Sequence, residues 1–330
     1  MDQLPLAVTG RTTTRLGFGC STLMGRMSQR ESLAVLDAAW DAGIRHFDVA
    51  PLYGWGAAES CVGEFLSRHS SQATVTTKFG ILPPPRRSWT GTARLLARPV
   101  IRAFPGVKQR LLHAAKSSLG GSPKAPLSAH EVRASLERSR VALQTDRIDL
   151  LLLHDVGSDD LTDPVLLDAM RGAVATGVIG DFGVSHDVAE IPKLYQERPE
   201  YCHVLQFEWS VRQPIPQYPR SFRIHHRSLA HNFLALLDRL IHRADLRRAW
   251  SEELGCDPAS PQVLSGLMLK AALVLNPGSV ILVSSKNPAH ISANVRASED
   301  ATLEAPARRF YELVQRDLTL FHQEAVPIKG

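Results

Sequence analysis

Short apolar, β-rich runs recur along the chain, and the spacing between most of them leaves room for one helix. Eight runs can be named: Leu16–Cys20, Gly43–Asp48, Ala73–Lys78, Ile148–His154, Val178–Val184, Cys202–Phe207, Ser221–His226 and Ser279–Val283. The clearest of them are apolar without alternation, the pattern of parallel strands buried on both faces. Helix-start patterns lie between them. Ser28-Gln29-Arg30-Glu31 and Ser128-Ala129-His130-Glu131 are capping boxes, and Asp163-Pro164 is an N-cap followed by proline at the first helical position. Gly43 ends the helix that opens at Ser28, and a further helix is expected over 57–68. Right-handed βαβ crossovers repeated eight times close into a (β/α)8 TIM barrel. The expectation is therefore an α/β fold forming one barrel domain over residues 1–330.

The rhythm breaks once. About fifty residues separate Lys78 from the capping box at Ser128, where a βα connection normally takes a handful. This enlarged loop after the third strand, residues 79–127, is rich in proline and glycine. It carries the chain's basicity. The whole chain is net +5, yet the stretch from Phe79 to His130 holds nine Lys or Arg and no Asp or Glu. The remainder is net negative. Short amphipathic helices are plausible at Thr92–Ala103 and Val107–Ser118. The stretch Arg212–Leu246 is the hardest to parse: apart from the run at Ser221–His226 it shows no clear helix pattern.

Other classes are disfavoured. No apolar run is long enough to span a bilayer, and the N-terminus lacks the basic-then-apolar pattern of a secretory signal. Cys20, Cys61, Cys202 and Cys256 are scattered without a CxxC pair, which points to reduced thiols and a cytoplasmic protein. No tandem repeat is visible. The Rossmann glycine fingerprint is absent. His225-His226 resembles a metal pair, but neighbouring rings on a strand point to opposite faces, so no metal site is expected.

Four residues fall where a barrel would use them. Asp48, Lys78 and His154 end three of the runs, and Tyr53 follows Asp48 by five. The C-terminal strand ends of such a barrel converge on one mouth, where its chemistry is done. Taken singly, each residue has a plain structural explanation. Asp48 could be a helix N-cap, Lys78 a solvated charge, His154 a satisfied structural imidazole and Tyr53 a rim aromatic. Their order within one strand rhythm argues for a shared site. A phenol, an ammonium, a carboxylate and an imidazole at one mouth can move a proton to or from a carbonyl oxygen.

With these residues placed, the chain resembles the aldo-keto reductase superfamily, with an affinity for the bacterial branch that includes aldose dehydrogenases. The resemblance rests on Thr14–Cys20, on Gly43-Ile44-Arg45-His46-Phe47-Asp48-Val49-Ala50-Pro51-Leu52-Tyr53-Gly54, on Ala58-Glu59-Ser60, on Thr77-Lys78 and on Leu153-His154. It implies hydride transfer between a nicotinamide cofactor and an aldehyde or ketone, or the corresponding alcohol or sugar. Tyr53 would be the proton donor. Lys78 would lower the phenol from its usual pKa near ~10. Asp48 would hold Lys78, and His154 would orient the carbonyl.

The resemblance further implies a cofactor site at Ser185, His186, Gln206, Ser228, Leu229, Ser284, Ser285, Lys286, His290 and Asn294. Gly183-Val184-Ser185-His186 is similar to a Gly-Val-Ser-Asn element whose last two residues hold the carboxamide, with His186 in place of Asn. Arg227-Ser228-Leu229-Ala230 stands where the family has an aromatic-Ser-Pro-Leu element. Ser284 to Asn294 matches the segment that holds the adenosine phosphate, with Ser284 and His290 where NADP users often carry Lys and Arg. NADP is the expected cofactor and NAD the alternative.

The expected partner is a small carbonyl compound, anionic if the basic loop caps the mouth. A solvated flap and a membrane-surface helix, with Arg94, Arg98 and Arg102 among Leu95, Leu96, Val100, Ile101 and Phe104, are the competing readings of that loop. Nucleic acid is disfavoured, since Trp89 and Phe104 are the loop's only stackers. The chain would be a monomer or small homo-oligomer. The alternative function is a catalytically weak nicotinamide-nucleotide-binding barrel serving as a regulatory or structural subunit. His186 and Arg227 favour that alternative; the tetrad favours the enzyme.

Overall fold

A computed structural model describes residues 1–25, 27–69, 72–83, 123–230 and 232–318. Eight parallel strands close into a barrel: β3 (Leu16–Gly19), β4 (His46–Asp48), β5 (Thr74–Phe79), β6 (Ile148–His154), β7 (Ile179–Ser185), β8 (Val204–Glu208), β9 (Phe222–His226) and β10 (Ser279–Val283). Each pairs with the next in sequence, and β10 closes onto β3. All eight expected runs therefore form the barrel, shifted by at most three residues at either end.

The helices between them begin where the sequence caps them. α1 (Gln29–Asp41) opens on Ser28, whose hydroxyl and the Glu31 side chain satisfy each other's backbone N–H groups. α2 (Ala58–Leu66) follows β4, and α3 (Ala129–Leu143) opens on the Ser128 cap. α4 (Pro164–Ala175) is capped by Asp163. Then come α5 (Ile191–Glu197), α6 (Asn232–His242), α7 (Ala244–Leu254), α8 (Pro261–Leu275), α9 (Pro288–Glu299) and α10 (Glu304–Arg316). Alternate strand residues face opposite ways. Leu151, Leu153, Leu205, Phe207, Ile281 and Val283 pack outward into the helix layer. Leu150, Leu152, Val204, Ile224, Val280 and Leu282 pack inward.

The far end of the barrel is closed by a hairpin the sequence did not announce. β1 (Gln3–Pro5) pairs antiparallel with β2 (Thr12–Thr14), and Leu4 and Leu6 complete the inward apolar cluster. Beside this cluster the β4–β5 wall is polar. His46 Nδ1 lies 3.1 Å from Thr74 Oγ1 and its Nε2 3.2 Å from Thr76 Oγ1. Gly17 makes room there, since a Cβ would sit 2.8 Å from Leu282 Cδ2.

The two ends of the long connection after β5 return to each other. Ile81 bridges Lys124, Leu82 N–H donates to Pro123, and Ala125 N–H donates to the Gly80 carbonyl. The helix candidates at 92–103 and 107–118, with Arg94, Arg98, Arg102, Trp89 and Phe104, lie outside the described residues. Within Arg212–Leu246 the structure places β9, α6 and the start of α7. Among the described residues no helix is long and apolar enough to cross a membrane.

Candidate active site

Asp48 ends β4 and Lys78 lies one residue before the end of β5, so both reach the mouth from adjacent strands. Lys78 Nζ donates to Asp48 Oδ1 at 2.6 Å and to the Val49 carbonyl at 3.2 Å. The pair is almost fully buried, at 1% and 3% exposure. A buried ion pair persists only when its remaining donors and acceptors are also satisfied. Here Asp48 Oδ2 accepts from Gln206 Nε2 at 2.6 Å, and Gln206 Oε1 accepts from the Ser185 hydroxyl at 2.8 Å.

Tyr53 is presented by the loop after β4. It opens a short 3-10 turn, Tyr53–Gly56, inside which Gly54 has φ +59°. A Cβ at Gly54 would meet Met24 Cβ at 2.6 Å and the Leu23 carbonyl at 2.7 Å, so only glycine lets this turn pack. The turn sets the phenol ring 5.2 Å from Lys78 Nζ and edge-on to the His154 ring, with centroids 6.5 Å apart. His154 ends β6, opposite Ser185 of β7.

The electrostatics differ from the simplest expectation at one point. Burial pushes the Tyr53 phenol up, and the Lys78 charge beside it pulls back only part of that rise. Lys78 therefore restrains the phenol's pKa and does not bring it below the free value. For Lys78 itself, burial opposes the charge, but the Asp48 carboxylate and the phenol together outweigh it and the ammonium is held up. Burial, then the nearby ammonium, lower His154 to about 3, so its imidazole is neutral at neutral pH.

A cavity of about 500 Å³ opens at the C-terminal end of the barrel, with Lys78 buried behind its wall. Asp48, Tyr53 and His154 line it. Of the residues proposed for a cofactor, Ser185, Gln206, Ser228, Leu229, Ser284 and Asn294 line it too. His186 does not: its Nδ1 accepts from Asp187 N–H, and its Nε2 lies 3.5 Å from Asp155 Oδ1. Ser285, Lys286 and His290 stand in the loop and first turn that lead from Ser284 into α9, outside the lining. Arg227 reaches the rim with φ +57° and an ion pair to Glu208 at 3.4 Å, leaving it 59% exposed.

The inward ring at this point is His226, which the sequence reading passed over. It lines the cavity, and burial lowers it to about 4. His225 faces the other way, against Phe207 and Trp209. The alternation that argued against a metal pair also marks His226 as inward-facing, two residues after Ile224. Among the described residues no group of three or more His, Cys, Asp or Glu is placed to hold a metal.

A nicotinamide nucleotide fits this cavity on one specific ground. Ser228 Oγ is buried at 3% exposure, lines the cavity and has no hydrogen-bond partner among the described residues. An orphaned hydroxyl in a cavity wall needs a partner from outside the chain. An eight-stranded barrel with a buried Lys–Asp pair, a phenol and a neutral imidazole at its mouth has the groups to move a proton at a molecule bound there. Sequence comparison places it more closely. The model of the aldo/keto reductase family matches residues 15–217, and the chain belongs to that family. It is 34% identical over 193 residues to D-threo-aldose 1-dehydrogenase of a Pseudomonas species, covering 56% of this chain and 53% of that protein. It is also 34% identical over 159 residues to pyridoxal 4-dehydrogenase of Microbacterium luteolum, covering 47% and 44%. The chain thus spans about half the length of the curated relatives it matches. Among solved structures, the holo form of aldo-keto reductase AKR11C1 from Bacillus halodurans superposes with a TM-score of 0.67 at 20% identity, covering 94% of this chain and 96% of that one. A Klebsiella pneumoniae aldo-keto reductase in complex with NADPH gives 0.59 at 20% identity, covering 91% and 92%.

Proposed function

We propose that this protein transfers a hydride between a nicotinamide cofactor and a small carbonyl compound or its alcohol, with Tyr53 as the proton donor. The observation that carries the reading is the 2.6 Å Lys78–Asp48 pair, buried beneath a phenol and beside a neutral imidazole in one cavity. The bound cofactor supplies the hydride. The chain supplies position and charge. His154, neutral and facing the cavity, holds the carbonyl oxygen by a hydrogen bond. Tyr53 delivers its proton to that oxygen, and the Lys78 ammonium stabilises the phenolate that remains. Asp48 keeps Lys78 charged and aimed.

Ser185, Gln206, Ser228, Leu229, Ser284 and Asn294 would contact the nucleotide from the cavity wall, and Lys286 and His290 would meet its outer phosphate. NADP is the cofactor proposed, on the Lys286 charge and on likeness to proteins that hold it. The substrate proposed is anionic. Both ends of the basic connection emerge beside Ile81, which lines the cavity. The described cysteines are all free, which supports a cytoplasmic location.

The test is a fluorescence titration with NADPH and NADH, followed by NADPH oxidation with a panel of neutral and carboxylated aldehydes. Binding with turnover is the expected result. Binding without turnover on any carbonyl would favour a nucleotide-binding subunit, and absence of binding would remove the reading.

A further inference from the structure

Gln206 and Asp48 stand on opposite sides of the barrel. β8 and β4 are four strands apart in either direction around the sheet. Even so, the amide reaches across the mouth and donates to Asp48 Oδ2 at 2.6 Å. The other end of the amide accepts from the Ser185 hydroxyl at 2.8 Å, which fixes which end faces the carboxylate. Asp48 Oδ1 is left to Lys78. A continuous chain therefore runs Ser185, Gln206, Asp48, Lys78, Tyr53, every member of it buried or facing the cavity.

We propose that Gln206 is a positioning residue for proton transfer: it clamps Asp48 and, through Asp48, holds the Lys78 ammonium against Tyr53. This goes beyond contact with a cofactor, and the amide does it in the cofactor-free protein. Its activity readout rests on the hydride-transfer reading above; its structural readout does not.

The physical consequence of losing the clamp has one sign. Asp48 Oδ2 would become a buried acceptor without a donor, and its negative charge would be less dispersed. The carboxylate would also be free to swing, loosening Lys78. More negative charge near the phenol and less positive charge beside it both push Tyr53 up. The charged and titratable groups around Tyr53 are Lys78, Asp48, Cys20 and His154, with His226 on the Asp48 side. None of them is changed by substitution at Gln206.

Two variants of the full chain test this. Gln206→Leu removes the donor. Gln206→Glu keeps the shape; ionised, it repels Asp48, and protonated, it donates to Asp48 as the amide does. In the cofactor-free protein, the phenol of Tyr53 is titrated by absorbance, with Tyr53→Phe in each background as the blank. For Gln206→Leu the titration should move up by about one unit, the basic limb of kcat for alcohol oxidation should move with it, and kcat should fall by about 10²-fold. The Kd for NADPH is no criterion, since Gln206 also lines the cavity proposed for the nucleotide; the phenol titration is read in the cofactor-free protein. For Gln206→Glu, activity should rise toward the parent's as pH is lowered. An unmoved phenol titration in Gln206→Leu overturns the proposal, as does a Gln206→Glu protein equally inactive at every pH. Loss confined to NADPH affinity, with the phenol titration unmoved, would make Gln206 a cofactor ligand only. If the parent turns over no carbonyl, the reaction reading fails on its own, and the phenol titration still decides the role of Gln206.

Discussion

Tyr53 is the side chain on which the proposed proton step turns, and its surroundings set what a substitution should show. Tyr53→Phe keeps the ring edge-on to His154 and removes only the hydroxyl. Turnover should fall by about 10²–10⁴-fold, while the Kd for NADPH stays near the parent's; steady-state rates and fluorescence titration measure the two separately. Retained turnover would mean that another group gives the proton. His154 offers a second contrast. With its pKa lowered to about 3, it is a neutral hydrogen-bonding group and not a charge. His154→Gln, which keeps a donor, should therefore retain more of kcat than His154→Leu. The four mouth residues could be read from the sequence because three stand at or near strand ends and the fourth follows in a glycine-fixed turn. The hydrogen bond from Gln206 to Asp48 could not, because it joins residues 158 positions apart across a barrel diameter.

At the scale of elements, the parallel strands and capped helices announce themselves through local chemistry: unbroken apolar runs, capping boxes and an Asp-Pro start. What stayed hidden lacks that chemistry. β1 and β2 are three residues each, too short for an alternation to emerge. α6 is the exception: Phe233, Leu236, Leu237 and Leu240 fall at helical spacing and pack on the core, with Leu234 (73% exposed) and Ile241 (52%) at the edge of the same face, so its period is present in the sequence. The hairpin nonetheless plugs the barrel through Leu6, which is wholly buried. Leu6→Ala should cost about 2–5 kcal/mol, read from urea unfolding, and leave the mouth chemistry at the other end intact. A change below about 1 kcal/mol would mean that the plug is dispensable. The basic connection belongs to the same scale. Replacing Arg94, Arg98 and Arg102 together by Gln should raise KM for carboxylated aldehydes and leave KM for neutral ones unchanged. Equal KM values in parent and variant would reduce the connection to a surface flap.

Considered as a whole, the molecule carries an acid sensitivity distributed from its interior to its mouth. His46 sits in the polar wall of the barrel, His154 and His226 at the mouth, and His225 in the aromatic shell outside β9. Burial lowers all four, His46 and His226 to about 4 and His154 and His225 to about 3. In the unfolded chain each would titrate near ~6.5. Between about pH 6.5 and 4 the unfolded state thus binds protons that the folded state refuses, and stability falls as the pH falls. Each histidine contributes about 1.4 kcal/mol per pH unit over that window. Four acting together weaken the fold by several kcal/mol between pH 7 and 5, a large share of the ~5–15 kcal/mol of a typical domain. Exposed carboxylates, which titrate near ~4, contribute little so far above their own range, while Glu59 and Asp149, both raised by burial, take up protons in the folded state and offset part of the loss. Urea unfolding at pH 7, 6 and 5 should show a steep loss of stability. His225→Phe should flatten that slope by about one proton's worth, because Phe207 and Trp209 already offer its ring an aromatic surround. A slope unchanged in that variant would mean that His225 takes up its proton in the folded state, and that the shell around β9 is wetter than its packing indicates.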